Sequence, residues 1–116
     1  PFYYLGLLAQ EQGQHERAIG ILEKLVQRFP TFAYGHAALG LSYMKLKDHP
    51  RSRQELELAV KLDPNDAKAH YNLAVLYARL KQTKLAQEEM QIVEKLKSKG
   101  VKDESDLVAP SSLTQR

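Results

Sequence analysis

The 116-residue chain has no cysteine, no tryptophan and only two methionines, and no apolar run in it approaches the roughly 20 residues of a membrane-crossing helix. Without cysteine, disulfides and thiolate metal sites are excluded, and the redox compartment stays open. The opening stretch Pro1-Phe2-Tyr3-Tyr4 lacks the basic segment that begins a secretory signal peptide. An excess of one charge is also missing. The net charge is +3, with three cations against three anions over 1–32 and five against five over 33–66; only 67–100 is basic, with seven against three. This disfavours a nucleic-acid partner, which asks for a broad basic stripe with exposed aromatics. Lys95, Lys97 and Lys99 share their helix with Glu88, Glu89 and Glu94, and cations near a helix C-terminus complement its dipole. Catalytic signatures are absent as well: no G-x-S-x-G elbow, no G-x-x-x-x-G-K-[ST] phosphate loop and no H-E-x-x-H. Neither catalysis nor a cofactor is expected. The length gives one domain, and 43% hydrophobic with 27% charged residues is ordinary for a folded one.

What is present is a repeat. Leu39-Gly40 has Leu5-Gly6 thirty-four residues before it and Leu73-Ala74 thirty-four after; Pro30 and Pro64, and Tyr43 and Tyr77, keep the same spacing. Such a period marks stacked supersecondary units that cannot bury their apolar faces alone, with about three needed for stability. The units read as residues 1–32, 33–66 and 67–100, followed by 101–116 as a tail.

Small residues recur twelve apart in every unit, as Gly6/Ala18, Gly40/Ser52 and Ala74/Ala86. Two helices whose axes approach to about 8–10 Å leave no space for long side chains where they cross, so these pairs predict a tight helical hairpin in each unit. Pro30 and Pro64 stop the second helix of their units, and Thr31 and Asn65 or Asp66 are the N-caps expected after them. The predicted helices run over 2–12, 15–29, 34–46, 50–62, 67–80 and 83–97, with Gly13 in the first turn and Asp48 capping the helix that Pro50 opens. Gly100 is expected to close the last helix and the charged and Pro/Ser-rich stretch from Lys102 to be mobile. The first helix is apolar almost all round and expects cover on several sides. Its uncapped start reads as the edge of an array continuing upstream, whereas the polar outer face of the last helix reads as a finished end.

Each unit resembles the tetratricopeptide repeat, whose pattern is W-x2-L-G-x2-Y, A-x3-F and P over thirty-four residues. The second copy reads His36-x2-Leu39-Gly40-x2-Tyr43, Ser52-x3-Leu56, Pro64; the first reads Phe2-x2-Leu5-Gly6-x2-Ala9, Ala18-x3-Leu22, Pro30; the third reads His70-x2-Leu73-Ala74-x2-Tyr77, Ala86-x3-Met90, with Ser98 in place of proline. The resemblance covers residues 1 to about 100. It implies an all-α, right-handed α-solenoid of three antiparallel helix-turn-helix repeats, and it implies a protein-interaction scaffold that holds a peptide or protein segment in a concave groove.

The residues that the resemblance assigns to this groove are Tyr3, Leu7, Gln10 and Glu11 from the first repeat. The second supplies Tyr34, Ala37, Leu41, Met44 and Lys45, and the third Lys68, Tyr71, Asn72, Val75, Ala78 and Arg79. Tyrosine and methionine are good contact residues, and Lys45, Lys68 and Arg79 favour an acidic segment or a free C-terminal carboxylate. Some family members clamp chaperone C-termini through Lys and Asn. Lys68 and Asn72 match one half of that clamp, while Tyr3 and Leu7 replace the other. His36 and His70 fill the aromatic slot and are read as packing residues with a polar edge, since no further ligand stands beside them for a metal. Two alternatives accompany the scaffold reading: self-association as a homo-oligomer through the N-terminal repeat, and service as the recognition arm of a larger enzyme.

Overall fold

A computed structural model describes the backbone of residues 1–113 and the side chains of residues 1–100. Its six helices are α1 Phe2–Glu11, α2 His15–Arg28, α3 Ala33–Lys45, α4 His49–Leu62, α5 Ala67–Arg79 and α6 Thr83–Leu113. They pair as the hairpins α1/α2, α3/α4 and α5/α6; α2 packs on α3 and α4 on α5, and α1, α3 and α5 approach one another along one side. The architecture is an all-α solenoid of tetratricopeptide type.

The hairpins cross at the small residues. A Cβ added at Gly40 would lie 2.7 Å from Leu56 Cγ and 3.2 Å from the Leu56 backbone nitrogen, and one added at Gly6 would lie 2.6 Å from Leu22 Cδ2. The Ser52 hydroxyl donates to the Gly40 carbonyl across the crossing at 2.7 Å. Ala74 and Ala86 are both buried at the third. After each first helix the chain reverses through one left-handed residue, Gly13 (φ 76°), Lys47 (63°) or Lys81 (62°). The amides that follow return to the helix end, with Gln14 N–H on Ala9 O at 2.8 Å, Asp48 on Tyr43 at 2.9 Å and Gln82 on Tyr77 at 2.9 Å.

The core lies at the junctions between repeats. One buried cluster joins Ala18 and Leu22 of α2 to Ala38, Leu39 and Tyr43 of α3, and a second joins Met44 and Leu56 to Leu73, Leu76 and Tyr77. No repeat closes its own apolar face, which is why the array folds as one unit. Polar staples accompany these junctions. The Tyr43 hydroxyl donates to Glu23 and the Tyr77 hydroxyl to Glu57, each from a first helix back to the second helix of the preceding repeat.

Three expectations change. Asp48 and Asp66 are side-chain N-caps, accepting from the Arg51 and Ala69 amides. Thr31, however, is not a cap: Phe32 takes that position with no side-chain bond, its ring drawn into aromatic contact with Tyr3 at 5.2 Å. Gly100 does not close the last helix, whose backbone continues to Leu113 in place of the expected tail. A helical glycine costs only about 1 kcal/mol against alanine and does not by itself end a helix. Of the stretch from Lys102 that was expected to be mobile, residues 114–116 lie outside the described residues. Finally, α1 is covered on its inner face, but Tyr4, Leu5 and Leu8 stand open to solvent.

Candidate functional site

The first helices of the three repeats stand side by side, so side chains one repeat apart converge on the inner face. There Tyr3, Leu7 and Gln10 of α1, Tyr34, Ala37 and Leu41 of α3, and Lys68 and Asn72 of α5 line one concavity. Its volume of about 150 Å³ is well below the roughly 300–1,000 Å³ of a small-molecule pocket and suits an inserted side chain. The mouth is aromatic. Tyr3 and Tyr34 stack with centroids 6.4 Å apart, and Phe32 meets both rings edge-on, at 5.2 Å from Tyr3 and 6.1 Å from Tyr34. Tyr34 keeps 50% of its surface exposed. The Tyr3 hydroxyl has its pKa pushed above the usual phenol value, first by burial and then by the Asp66 carboxylate.

Seven other predicted residues sit elsewhere, among them Glu11, exposed at the end of α1, and Ala78, exposed on α5. Met44 is a core residue, 3% exposed among Leu56, Leu73 and Leu76, because its position on α3 faces the next first helix and not the groove. Val75 also lies toward that side, half-buried beside the second cluster and on a separate groove with Ala78 and Met90. Lys45 and Arg79 are exposed at the C-terminal ends of α3 and α5, and Tyr71 is half-exposed on α5; none of these three lines the concavity. Gln10 lines it without being free. Its side-chain amide donates to the Ala38 carbonyl at 2.5 Å and to Ser42 Oγ at 2.7 Å, so it ties α1 to α3.

Asp66 and Phe32, one repeat apart, also border the site and were not among the predicted residues. The sequence marks Asp66 as a cap; only the stacking of first helices turns the cap position toward the concave mouth, where it sets a carboxylate near Lys68.

The histidines pack as expected, and with specific partners. His36 Nδ1 lies 2.7 Å from Glu55 Oε1 and its Nε2 2.7 Å from the Pro30 carbonyl; His70 repeats this with Glu89 at 2.6 Å and Pro64 at 2.8 Å. Each ring is thus held between two acceptors and ties the inter-repeat loop to its own hairpin. The signal was available, since Glu55 and Glu89 follow the two histidines by nineteen residues in both repeats.

Comparison with known proteins places the arrangement. A family model described as TPR repeat matches residues 40–81, and two described as tetratricopeptide repeat match 2–31 and 67–99. No curated protein is matched. Among solved structures, MamA 41-end from Desulfovibrio magneticus RS-1 shares 28% identity at a TM-score of 0.80 over 84% of this chain and 55% of its own. A MamA RS-1 double mutant shares 27% identity at 0.81, over 85% and 56% respectively, so this chain spans a little over half the length of those structures. The second TPR of Spaghetti (RPAP3), solved bound to the HSP90 peptide SRMEEVD, has a TM-score of 0.79 at 20% identity over 82% of this chain and 88% of its own, a likeness of fold. With these matches running along helices paired as hairpins, the chain belongs to the tetratricopeptide repeat family.

Proposed function

We propose that this chain is a protein-interaction scaffold, without catalysis of its own, that receives a peptide or protein segment on its concave face. The observation that carries this reading is the convergence of Tyr3, Tyr34, Lys68 and Asn72, from three successive repeats, on one concavity sized for a side chain. Tyrosines lose little conformational freedom on contact and combine apolar area with a hydroxyl. Lys68 and Asn72 supply donors for a carboxylate, and Asp66 beside them fixes which way an acidic segment lies by repelling it from the cap. The peptide in the RPAP3 structure is acidic, and that structure shares this fold.

Self-association is a second reading, favoured by one observation. Leu5 is 46% exposed, whereas its counterparts Leu39 and Leu73 are each 1% exposed under the preceding repeat.

The test is capture from lysate with wild type and with a Tyr34→Ala/Lys68→Glu variant of equal helicity by circular dichroism, alongside sedimentation velocity. A protein retained by the wild type and lost by the variant supports the concave face. Equal retention by both overturns it, and concentration-dependent dimerisation that Leu5→Glu abolishes supports the second reading.

A further inference from the structure

The charges of the second repeat balance in the sequence, and the fold sorts them. Of its five acids, Glu55 and Glu57 are engaged by His36 and Tyr77, and Asp63 and Asp66 lie at the loop leading to α5. Only Asp48 stands at the turn between α3 and α4, where it meets three cations, Lys45, Lys47 and Arg51. The equivalent turn of the third repeat has Arg79, Lys81 and Lys84 and no acid over 79–84. These two turns thus hold six cations against one carboxylate, in a chain whose net charge is +3. Lys45 and Arg79 are the predicted groove cations that the concavity leaves out.

The backbone does not ask for this placement. Lys47 and Lys81 occupy the left-handed position, at φ 63° and 62°, where the first repeat has Gly13, and a side chain there costs free energy that glycine does not. Lys45, Lys47, Arg79, Lys81 and Lys84 enter no ion pair among the described residues, and Arg51 meets Asp48 only at 3.6 Å with 68% of its side chain exposed. All six cations are exposed. Because α3 and α5 are equally long and lie in contact, their turns end level, on the order of 10 Å apart, at the edge where the hairpins reverse. Leu46, 40% exposed, stands between Lys45 and Lys47 in sequence, as Leu80 does between Arg79 and Lys81. Repeats stack side by side, so a neighbouring unit lengthens this edge and does not cover it. The turn of the first repeat, with Glu11 and Glu16 against Arg17, is not part of the patch.

We propose that this edge is a membrane-surface contact, distinct from the concave face: the turns of the second and third repeats rest on an anionic lipid bilayer, their cations among the headgroups and Leu46 at the headgroup boundary. A level row of turn tips matches a plane. Four of the six cations are lysines, which protein interfaces disfavour, and a compact ammonium suits a diffuse anionic surface where the arginine fork suits one defined carboxylate. The helices then stand upright on the bilayer, and the concave face stays free for a partner.

The probe is a vesicle of phosphatidylcholine carrying phosphatidylserine, mixed with the full chain and sedimented beside vesicles of phosphatidylcholine alone. Expected is binding to the anionic vesicle only, declining as added salt shortens the screening length toward about 8 Å. Lys47→Gly/Lys81→Gly removes two cations while installing the residue that the turn conformation prefers, so the fold is kept and vesicle affinity should drop about 25-fold, at about fivefold per cation near the surface. Lys61→Gln/Lys95→Gln takes the same charge from exposed positions outside the edge and should leave binding nearly unchanged. Because the chain has no tryptophan, Leu46→Trp gives a single reporter whose emission should shift to the blue on the vesicle, while that of Tyr34→Trp, at the concave mouth, should not. Equal losses for the two charge pairs, a silent tryptophan at position 46, or equal binding to the uncharged vesicle overturns the proposal. So does a wild type that ignores both vesicles and binds polyglutamate through Lys47 and Lys81, which assigns the edge to an acidic protein.

Discussion

The Tyr77 hydroxyl donates to Glu57 Oε2 at 2.5 Å across the junction of α4 and α5, and Tyr43 repeats the bond to Glu23 one unit earlier. The two junctions are not equivalent. Arg53 Nε bonds Glu57 at 2.8 Å, and its guanidinium lies 5.4 Å from the Tyr77 ring centroid, whereas the corresponding position on α2 is Ile19. Glu23 therefore depends on Tyr43 alone among the described residues.

Tyr43→Phe and Tyr77→Phe should each cost about 1.5–3 kcal/mol, the range for hydrogen bonds to a charged acceptor, with Tyr43→Phe the larger because Glu57 keeps Arg53. Urea unfolding of the two variants checks the order. Two losses below about 0.5 kcal/mol would show that solvent replaces both bonds at no cost.

The same bonds predict alkaline instability. Burial first, and the Glu23 bond second, push the Tyr43 hydroxyl up to about 12, and Tyr77 moves in the same direction for the same reasons with Glu57. A raised folded-state pKa contributes stability that is complete below the unfolded value near 10 and is lost as pH rises through the folded value. Stability should therefore fall between about pH 10 and 12, by about 1.4 kcal/mol per unit of difference at each site. Phenolate absorbance followed beside circular dichroism tests this: Tyr43 and Tyr77 should be the last of the six tyrosines to ionise, together with unfolding. Their ionisation with the helices intact would contradict it.

Two helical glycines should respond oppositely to alanine. At Gly40 the new methyl meets Leu56, which is fully buried and presents a backbone atom, so overpacking of about 1–3 kcal/mol exceeds the helix-propensity gain. At Gly20 nothing lies within 4 Å, and the gain of roughly 1 kcal/mol stands alone. Thermal unfolding of Gly40→Ala and Gly20→Ala gives the signs directly.

Removing one partner of the His70/Glu89 pair leaves the other without its bond. Glu89→Ala should cost roughly 3 kcal/mol, the low end for a buried pair because the Glu89 side chain keeps 17% exposure. His70→Phe/Glu89→Ile, which installs the residues of the first repeat, should recover much of the loss. A double variant no more stable than Glu89→Ala would show that the bond to the Pro64 carbonyl is the one that matters.

The period, the hairpins and the crossings are legible in the order of residues along the chain. Small residues twelve apart, and prolines that stop helices, act over one or two turns of chain, so their effect is local and readable. Helix limits follow to within a residue or two, apart from the end of α6. Which surroundings each side chain receives is set only when the repeats stack. Gln10 and Met44 occupy the same position one repeat apart, and stacking puts both into the repeat junction, one as a hydrogen-bonding tie and one as core. Stacking equally turns the cap residue Asp66 toward the concave mouth and closes the histidine sites of the second and third repeats with the preceding loop. Helical spacing fixes the direction of a side chain about its own axis; the neighbour it meets is set by the rotation between repeats, which depends on the packing of every junction residue together.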